Sequence, residues 1–189
     1  MPTCKHIAII AANSLQSIGI YYLLLDYFSP VNVKIFNTFP SFNNTGNDSF
    51  DFYITTAETY VLYADFFLPR KIKTIVLTEK QELQGAVTNF LTTNAPQEDI
   101  IDQLKQILIS ESNTQVDASK ELSSRETDVL QLVVKGITNK EIAERLNISL
   151  NTVLSHRKNI TSKLGIKTVS GLTFYAIMNG VISGEEFGM

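Results

Sequence analysis

The strongest constraint on the fold lies in residues 120–180, where signals for the start and end of a helix recur four times. Two of the starts have the capping-box pattern, a serine or threonine followed three residues later by glutamate: Ser123 with Glu126, and Thr138 with Glu141. Ser149 and Thr168 are the other two starts. The four stop signals are Gly136, Asn147, Gly165 and Gly180. The pattern therefore predicts an all-α domain of four helices.

Charge is unevenly distributed along the 189 residues, which carry a formal net charge of -3. Residues 1–115 hold seven basic and eleven acidic side chains, whereas residues 120–180 hold nine basic and five acidic ones. Such a difference in sign between two halves of a chain is typical of a protein whose basic half meets a polyanion. The four-helix region is therefore the place to look for a nucleic-acid contact.

The third helical segment, SLNTVLSHRKNITSKLG (149–165), has two contrasting faces. Winding it at 3.6 residues per turn brings Val153, Ile160 and Leu164 within roughly 40° of one another, which predicts a face directed at the core. The opposite stripe, about 100° wide, is polar and basic with one apolar member. It consists of Asn151, Leu154, Ser155, Lys158 and Ser162. A helix with such a face fits the major groove of DNA, although a polar face that is merely solvated would show the same pattern.

Residues 120–182 resemble the C-terminal DNA-binding domain of the LuxR/NarL family of bacterial transcription factors. The resemblance rests on four motifs: the Leu-Ser-x-Arg-Glu entry, the run TNKEIAERLNIS, the NTVxxH start of the third helix, and KLGI. It covers about a third of the chain. It implies a helix-turn-helix, with the turn at LNIS, that binds promoter DNA, and a homodimer.

The resemblance also implies roles for individual residues. It places Leu154, Ser155 and Lys158 at the base-facing positions of the recognition helix. Four residues become candidates for contact with the DNA backbone: Asn139, Lys140, Thr152 and Arg157. The fourth helix matches the dimer-forming helix of the family, with Leu172, Tyr175, Ala176 and Asn179 expected on its surface. The alternative is that Leu172, Tyr175 and Ala176 pack on the first helix of the domain.

Leu154 departs from the family pattern, in which lysine is usual at this position. A leucine cannot donate a hydrogen bond to guanine, but it can contact the methyl group of thymine. We therefore expect a DNA target that differs from the targets of relatives with lysine.

The N-terminal half alternates strand-like and helix-like segments. The strand-like runs are 6–11, 31–36, 50–55, 73–78 and 86–92. The helix-like runs are 14–28, 58–67 and 96–111. The first begins at Ser14 as N-cap and has apolar residues at helical spacing, Leu15, Ile18, Tyr22 and Leu25. Ile100, Leu104, Ile107 and Leu108 share one face of the last. The alternation predicts a parallel sheet covered by helices on both faces.

This half resembles a phosphoacceptor receiver domain, a doubly wound fold with five parallel strands, but its site residues depart from that family. A receiver holds Mg²⁺ with an acidic pair after strand one, where this chain has Ala11, Ala12 and Asn13. The phosphoacceptor aspartate position at the end of strand three is occupied by Thr55 and Thr56, and the lysine after strand five is replaced by Thr92 or Thr93. Asp51 and Asp65 are better explained as strand-edge and helix-surface residues. We expect a degenerate receiver-like domain that is not controlled by aspartyl phosphorylation.

The expected fold is thus an α/β receiver-like N-terminal domain with a doubly wound parallel sheet, joined to an all-α four-helix helix-turn-helix domain. We expect the regulatory or dimerisation domain at 1–110, a linker at 111–119 because SESNTQVDASK is polar and lacks aromatic residues, and the LuxR-type domain at 120–189.

The sequence offers no nucleophile-base pair, phosphate-binding loop or metal-ligand cluster, and it has one cysteine. We therefore expect a DNA-binding regulator that is not an enzyme and needs no cofactor or metal. The expected partners are double-stranded promoter DNA, a second copy of the chain, and an unknown protein or small-molecule signal at the N-terminal domain. The apolar runs are too short to span a membrane, so we expect a cytoplasmic protein. Two alternatives remain open: an N-terminal small-molecule sensor that controls DNA binding, and a protein-interaction module with weak DNA binding.

Overall fold

The computed structural model describes residues 4–46, 49–79, 89–109 and 121–183. The described residues form two compact units, one made of those up to 109 and one of those from 121 onward. The linker expected at 111–119 lies outside the described residues. The division into three parts therefore stays a prediction.

The first unit is built on a five-stranded parallel sheet with the strand order β2-β1-β3-β4-β5. The strands are β1 (Lys5–Ile10), β2 (Val31–Phe36), β3 (Phe52–Thr56), β4 (Thr74–Thr78) and β5 (Phe90–Thr92). The order changes direction after β1, as in doubly wound folds. The predicted receiver-like α/β fold is confirmed, while residues 86–88 of the fifth predicted strand lie outside the described part of the chain.

The helices of this unit are α1 (Ser14–Phe28), α2 (Phe39–Asn43), α3 (Ala57–Leu62), α4 (Ala64–Phe67) and α5 (Gln97–Ile109), with a 3₁₀ helix at Leu68–Lys73. The single helix expected at 58–67 is divided into α3 and α4 because Tyr63 leaves the helical region, with φ -120° and ψ 42°. The short α2 was not predicted. Thr38 initiates it by accepting a hydrogen bond from the N–H of Ser41.

Two apolar layers cover the sheet. On one face, strand side chains such as Ile9, Ile54 and Leu77 form one cluster with residues of α1 and α5. The helix residues in this cluster include Leu24 of α1 and Leu104 of α5. A second cluster consists mainly of aromatic rings that meet edge to face or stacked: Phe39, Phe42, Tyr53, Phe66 and Phe67. Among the described residues of this unit, six aromatic side chains are buried in the core: Phe39, Phe42, Phe50, Tyr53, Tyr60 and Phe67.

Helix α1 forms where the sequence predicted it, but the predicted N-cap is wrong. Its N-cap is Asn13 rather than Ser14, because the Asn13 side chain accepts the N–H of Gln16. The residues that α1 buries are Ser17, Ile20 and Leu24, whereas the apolar stripe that marked the helix in the sequence faces solvent.

The second unit consists of four helices over residues 121–183: α6 (Ser124–Val134), α7 (Asn139–Leu146), α8 (Leu150–Leu164) and α9 (Val169–Met178). All four predicted helices are confirmed. Helix α6 packs against α8 and α9, and α7 packs against α8. The core between them contains Val129, Leu130, Ile142, Val153 and Ile160, each at most 1% exposed.

Candidate DNA-binding surface

Side-chain caps fix where each helix of the second unit begins. Ser123 and Thr138 accept the backbone N–H of Glu126 and Glu141, and each glutamate accepts the N–H of its cap in return. Ser149 and Thr168 cap α8 and α9 through a single side-chain acceptor. Both predicted capping boxes are confirmed. Each such cap contributes about 1 kcal/mol to helix stability.

The turn between α7 and α8 is compact because Asn147 adopts the left-handed conformation, with φ 52°. The N–H of Ile148 then bonds the carbonyl of Ala143 at 3.0 Å, which closes the end of α7. Ser149 follows at once as the cap of α8. This places the N-terminus of α8 immediately beside the end of α7, as in a helix-turn-helix.

Helix α8 has the two faces predicted from its sequence. Val153, Ile160 and Leu164 are 0%, 1% and 8% exposed and anchor the helix to α6 and α7. The predicted outer stripe is exposed along its whole length, at Asn151, Leu154, Ser155, Lys158 and Ser162. The helix therefore presents an exposed surface from its first turn to its last that is polar and basic except at Leu154.

The three predicted base-facing residues differ in what they can offer to DNA. Leu154 is 47% exposed and presents an apolar side chain. Lys158 is exposed one turn later and presents an ammonium group. The Ser155 hydroxyl donates to the carbonyl of Asn151 at 3.0 Å, so its oxygen is left to accept a hydrogen bond.

Two neighbours on the same helix were missed as candidates. Leu150 is 40% exposed and lies one turn before Leu154, so the helix carries an apolar pair rather than one apolar residue. Asn151 is exposed beside them, and an asparagine amide can bond adenine through both its donor and its acceptor. The spacing of four residues between Leu150 and Leu154 was visible in the sequence and could have identified the pair.

The four candidates for backbone contact are not equally accessible. Lys140 is exposed at the start of α7. The Thr152 hydroxyl lies 2.8 Å from the Ser149 hydroxyl, within the cap of α8. Arg157 is half-buried, and its guanidinium donates to the side-chain oxygen of Asn139 at 2.8 Å. The Arg157–Asn139 bond ties the middle of α8 to the first residue of α7, and it leaves the amide N–H groups of Asn139 as donors.

A partly buried ion pair joins α6 to α8. The Lys163 ammonium bonds a Glu126 carboxylate oxygen at 2.7 Å and the carbonyl of Glu121 at 3.2 Å. The Glu126 side chain is 5% exposed and that of Lys163 is 33% exposed. Burial opposes ionisation of Glu126, but hydrogen bonds from Lys163 and Ser123 outweigh it and lower the pKa of this carboxyl below its usual value.

Helix α9 differs from the prediction in which residues reach its surface. Leu172 is 5% exposed and Ala176 is 0% exposed, because both face the core of the unit, where α9 packs on α6. Their predicted surface position is wrong. Tyr175 and Asn179 are half-buried, and burial raises the pKa of the Tyr175 hydroxyl. A dimerisation role for this helix stays a prediction, and the candidate residues are reduced to Tyr175 and Asn179.

The carboxyl edge of the sheet in the first unit carries threonines where a receiver has its acidic site. Thr55 and Thr56 are the last two residues of β3, and Thr92 is the last residue of β5. The Thr55 hydroxyl donates to the carbonyl of Ile10. Asp51 instead lies before β3, where its carboxylate accepts the N–H of His6 at 2.8 Å. Asp65 is exposed in the first turn of α4. Both aspartates occupy the strand-edge and helix-surface positions predicted for them.

Within the described ranges, no three His, Cys, Asp or Glu side chains lie close enough together to hold a metal ion. In the same ranges, no helix combines the length and the apolar content that a membrane crossing requires.

The helix-turn-helix unit matches the family described as bacterial regulatory proteins, luxR family, over residues 120–176. These residues form a LuxR-family domain. The transcriptional regulatory protein MctR of Rhizobium johnstonii is 49% identical to this chain over 67 residues. That alignment covers 35% of this chain and 31% of MctR.

A second relative aligns with a larger share of the chain. The oxygen regulatory protein NreC of Staphylococcus aureus is 30% identical over 141 residues, which cover 60% of this chain and 65% of NreC. The chain thus spans about a third of MctR and just under two thirds of NreC.

Solved structures share the folds of both units at lower sequence identity. RcsB from Salmonella enterica serovar Typhimurium, bound to promoter P1flhDC, is 20% identical with a TM-score of 0.63 and covers 93% of this chain and 99% of its own. A second RcsB–DNA complex is 23% identical with a TM-score of 0.57, over 92% and 98% of the two chains. The receiver-like unit and the LuxR-type domain therefore have the folds of a two-domain response regulator.

Proposed function

We propose that the chain is a sequence-specific, DNA-binding transcriptional regulator of the response-regulator type. The observation that carries the proposal is the exposed polar and basic face of α8 in a LuxR-type domain whose opposite face is buried. Two kinds of relatives support it. MctR and NreC are named as regulatory proteins, and the RcsB structures of the same fold hold DNA.

In this proposal α8 enters the major groove, whose width of about 12 Å accepts a helix. Leu154, Ser155 and Lys158 then contact base edges, joined by Asn151 and Leu150. Lys140 and Thr152 contact phosphates, which fix the register of the helix without reading sequence. Asn139 adds its amide donors, and Arg157 acts partly through Asn139, because their bond ties α8 to the first residue of α7.

The DNA-bound form in this proposal is a homodimer. Two copies would place their α8 helices about 34 Å apart, one turn of DNA, and read two half-sites. The proposal assigns one role to each part of the chain: a regulatory and dimerisation domain at 1–110, a linker at 111–119 and the DNA-binding domain at 120–189. Fixing two domains in one dimer raises the effective concentration of the second at its half-site.

Lys140→Ala should weaken DNA binding and reduce its dependence on salt, because the proposal assigns Lys140 to a phosphate. Each phosphate contact that is lost lowers the magnitude of the slope of log K against log salt concentration by about one. The measurement is the affinity for a bound genomic fragment at several salt concentrations. Lys105→Ala is the control, because Lys105 has the same charge but lies on α5 in the other unit. Equal slopes for wild type, Lys140→Ala and Lys105→Ala would contradict the assignment of Lys140 to the DNA backbone.

We also infer that aspartyl phosphorylation does not regulate the protein. The threonines at the ends of β3 and β5, and Ala11 and Ala12 after β1, support this proposal, because none of them offers a carboxylate to Mg²⁺ or to a phosphoryl donor.

Incubation with a small-molecule phosphodonor and Mg²⁺ should leave the mass of the intact protein unchanged. The expected result follows from the absence of aspartate at the end of β3. Intact-mass spectrometry under conditions that preserve acyl phosphates provides the measurement. The gain of one phosphoryl group, removed again by hydroxylamine, would refute the inference.

A further inference from the structure

The exposed face of α8 is apolar toward its N-terminal end and becomes cationic further along. Leu150 and Leu154, here called the apolar pair, are 40% and 47% exposed and lie one turn apart. Lys158 is exposed one turn after Leu154. In helix-turn-helix proteins the N-terminal residues of the recognition helix contact base edges. The apolar pair therefore lies in the part of α8 that would approach the bases.

The cations of α8 leave this N-terminal part without a ligand for guanine. Lysine and arginine are the side chains that most often bind the O6 and N7 atoms of guanine. Residues 150–156 contain neither of them. Arg157 and Lys163 both bond side chains of other helices, at 2.8 Å and 2.7 Å. Lys158 is therefore the cation that the exposed stripe of α8 offers to a base.

The polar neighbours of the apolar pair also favour adenine over guanine. Asn151 is exposed beside the pair, and an asparagine amide bonds the N6 and N7 atoms of adenine together. The Ser155 hydroxyl donates to the carbonyl of Asn151 at 3.0 Å, so its oxygen accepts from a base and does not donate to guanine O6. A guanine next to the apolar pair would exchange water at its two acceptors for leucine methyl groups, which is costly.

We propose that the N-terminal part of α8 reads a T·A-rich core in each half-site, with the apolar pair in contact with the methyl groups of two thymines. Leu150 is then a specificity-determining residue together with Leu154. The inference rests on the proposed function and deepens it, because it names the class of DNA sequence that the surface would bind.

The length of the apolar pair sets the spacing of the two thymines. Four residues of helix span about 6 Å, and successive base pairs are about 3.4 Å apart. The two T·A pairs therefore lie no more than about two steps from each other. Lys158 lies about another 6 Å along the helix, so a guanine that it binds belongs at one end of the core.

Selection from a random double-stranded DNA library by the full chain at low salt should give half-sites with such a core. Duplexes with uracil in place of each thymine then test the two contacts, since uracil lacks only the methyl group. Each replacement should weaken binding by the wild type about fourfold, the value expected for one buried methyl group.

Two protein variants assign the methyl contacts to residues. Leu150→Ala should abolish the effect of uracil at one of the two positions, and Leu154→Ala should abolish it at the other. Asn159→Ala is the matched control, because Asn159 is exposed on the same helix but lies outside the apolar pair. It should keep both effects.

The outcomes separate this inference from the proposed function. Enriched half-sites with G·C pairs in place of the core would overturn the inference alone. Uracil that leaves the affinity of the wild type unchanged at either thymine would do the same, and this measurement needs no altered protein. A Leu150→Ala variant that keeps both uracil effects would remove Leu150 from the proposal. If the library yields no enriched sequence, the inference and the proposed function fail together.

Discussion

Leu154→Lys should change the base sequence that the protein selects, with little change in the stability of the fold. The exposed Leu154 offers only apolar contact, whereas a lysine there can donate to the acceptors of guanine. Good base contacts discriminate by about 1–3 kcal/mol, so we expect the preference at the contacted position to shift by about 10- to 100-fold. Binding selection from a random DNA library, sequenced for wild type and variant, measures this shift.

Asn159→Lys is the control for that experiment, because it adds the same charge at an exposed position on the same helix. It should raise affinity without changing the selected sequence. Replacing thymine by uracil at the position that wild type prefers tests the contact itself. Removing one buried methyl group costs about 0.8 kcal/mol, or about fourfold in affinity. A library consensus that is identical for wild type and Leu154→Lys would exclude Leu154 from base recognition.

Glu126→Ala should destabilise the LuxR-type domain by about 2 kcal/mol, roughly 30-fold in the unfolding equilibrium. The substitution leaves Lys163 without its carboxylate partner and the N–H of Ser123 without its acceptor. Because Lys163 is partly exposed, we expect a smaller loss of stability than the removal of one partner from a fully buried ion pair would cause. Hydrogen exchange of α6 and α8 in the full chain reports the change.

The contribution of Glu126 to the stability of the domain should also depend on pH. Its pKa in the folded state is lower than its ordinary value of 4.5, so its contribution is fully present above about pH 4.5. The contribution disappears as the pH falls through the lowered folded-state pKa, and the difference between wild type and Glu126→Ala should shrink there. Glu141→Ala removes the corresponding capping-box carboxylate from an exposed site and should cost less. A larger loss of stability in Glu141→Ala than in Glu126→Ala would contradict the importance given to the Glu126–Lys163 pair.

The helical domain could be predicted closely because its signals are local. Capping boxes and glycine stops act within one turn of a helix, so the four helices and the buried stripe of α8 follow from the sequence alone. The bond between Arg157 and Asn139 could not be predicted in this way, since it joins side chains 18 positions apart on different helices. The burial of Leu172 and Ala176 depends equally on how α9 packs against α6.

The first unit shows where periodicity alone is insufficient. The spacing of Leu15, Ile18, Tyr22 and Leu25 predicted a helix correctly, but helical spacing does not show which face is buried when apolar residues lie on both faces. Ser17, Ile20 and Leu24 have the same spacing and form the buried side. The split between α3 and α4 at Tyr63 has no glycine or proline to signal it in the sequence. The strand order, by contrast, agrees with the receiver resemblance, because that resemblance concerns the whole pattern of alternating elements.

Selection of genomic DNA fragments by the wild-type full chain at low salt tests the central claim most directly. If α8 reads DNA as proposed, a small set of fragments should be enriched, they should share a common half-site, and their binding should weaken steeply as salt is raised. If no fragment is enriched over the input at low salt, the protein is not a sequence-specific DNA-binding regulator.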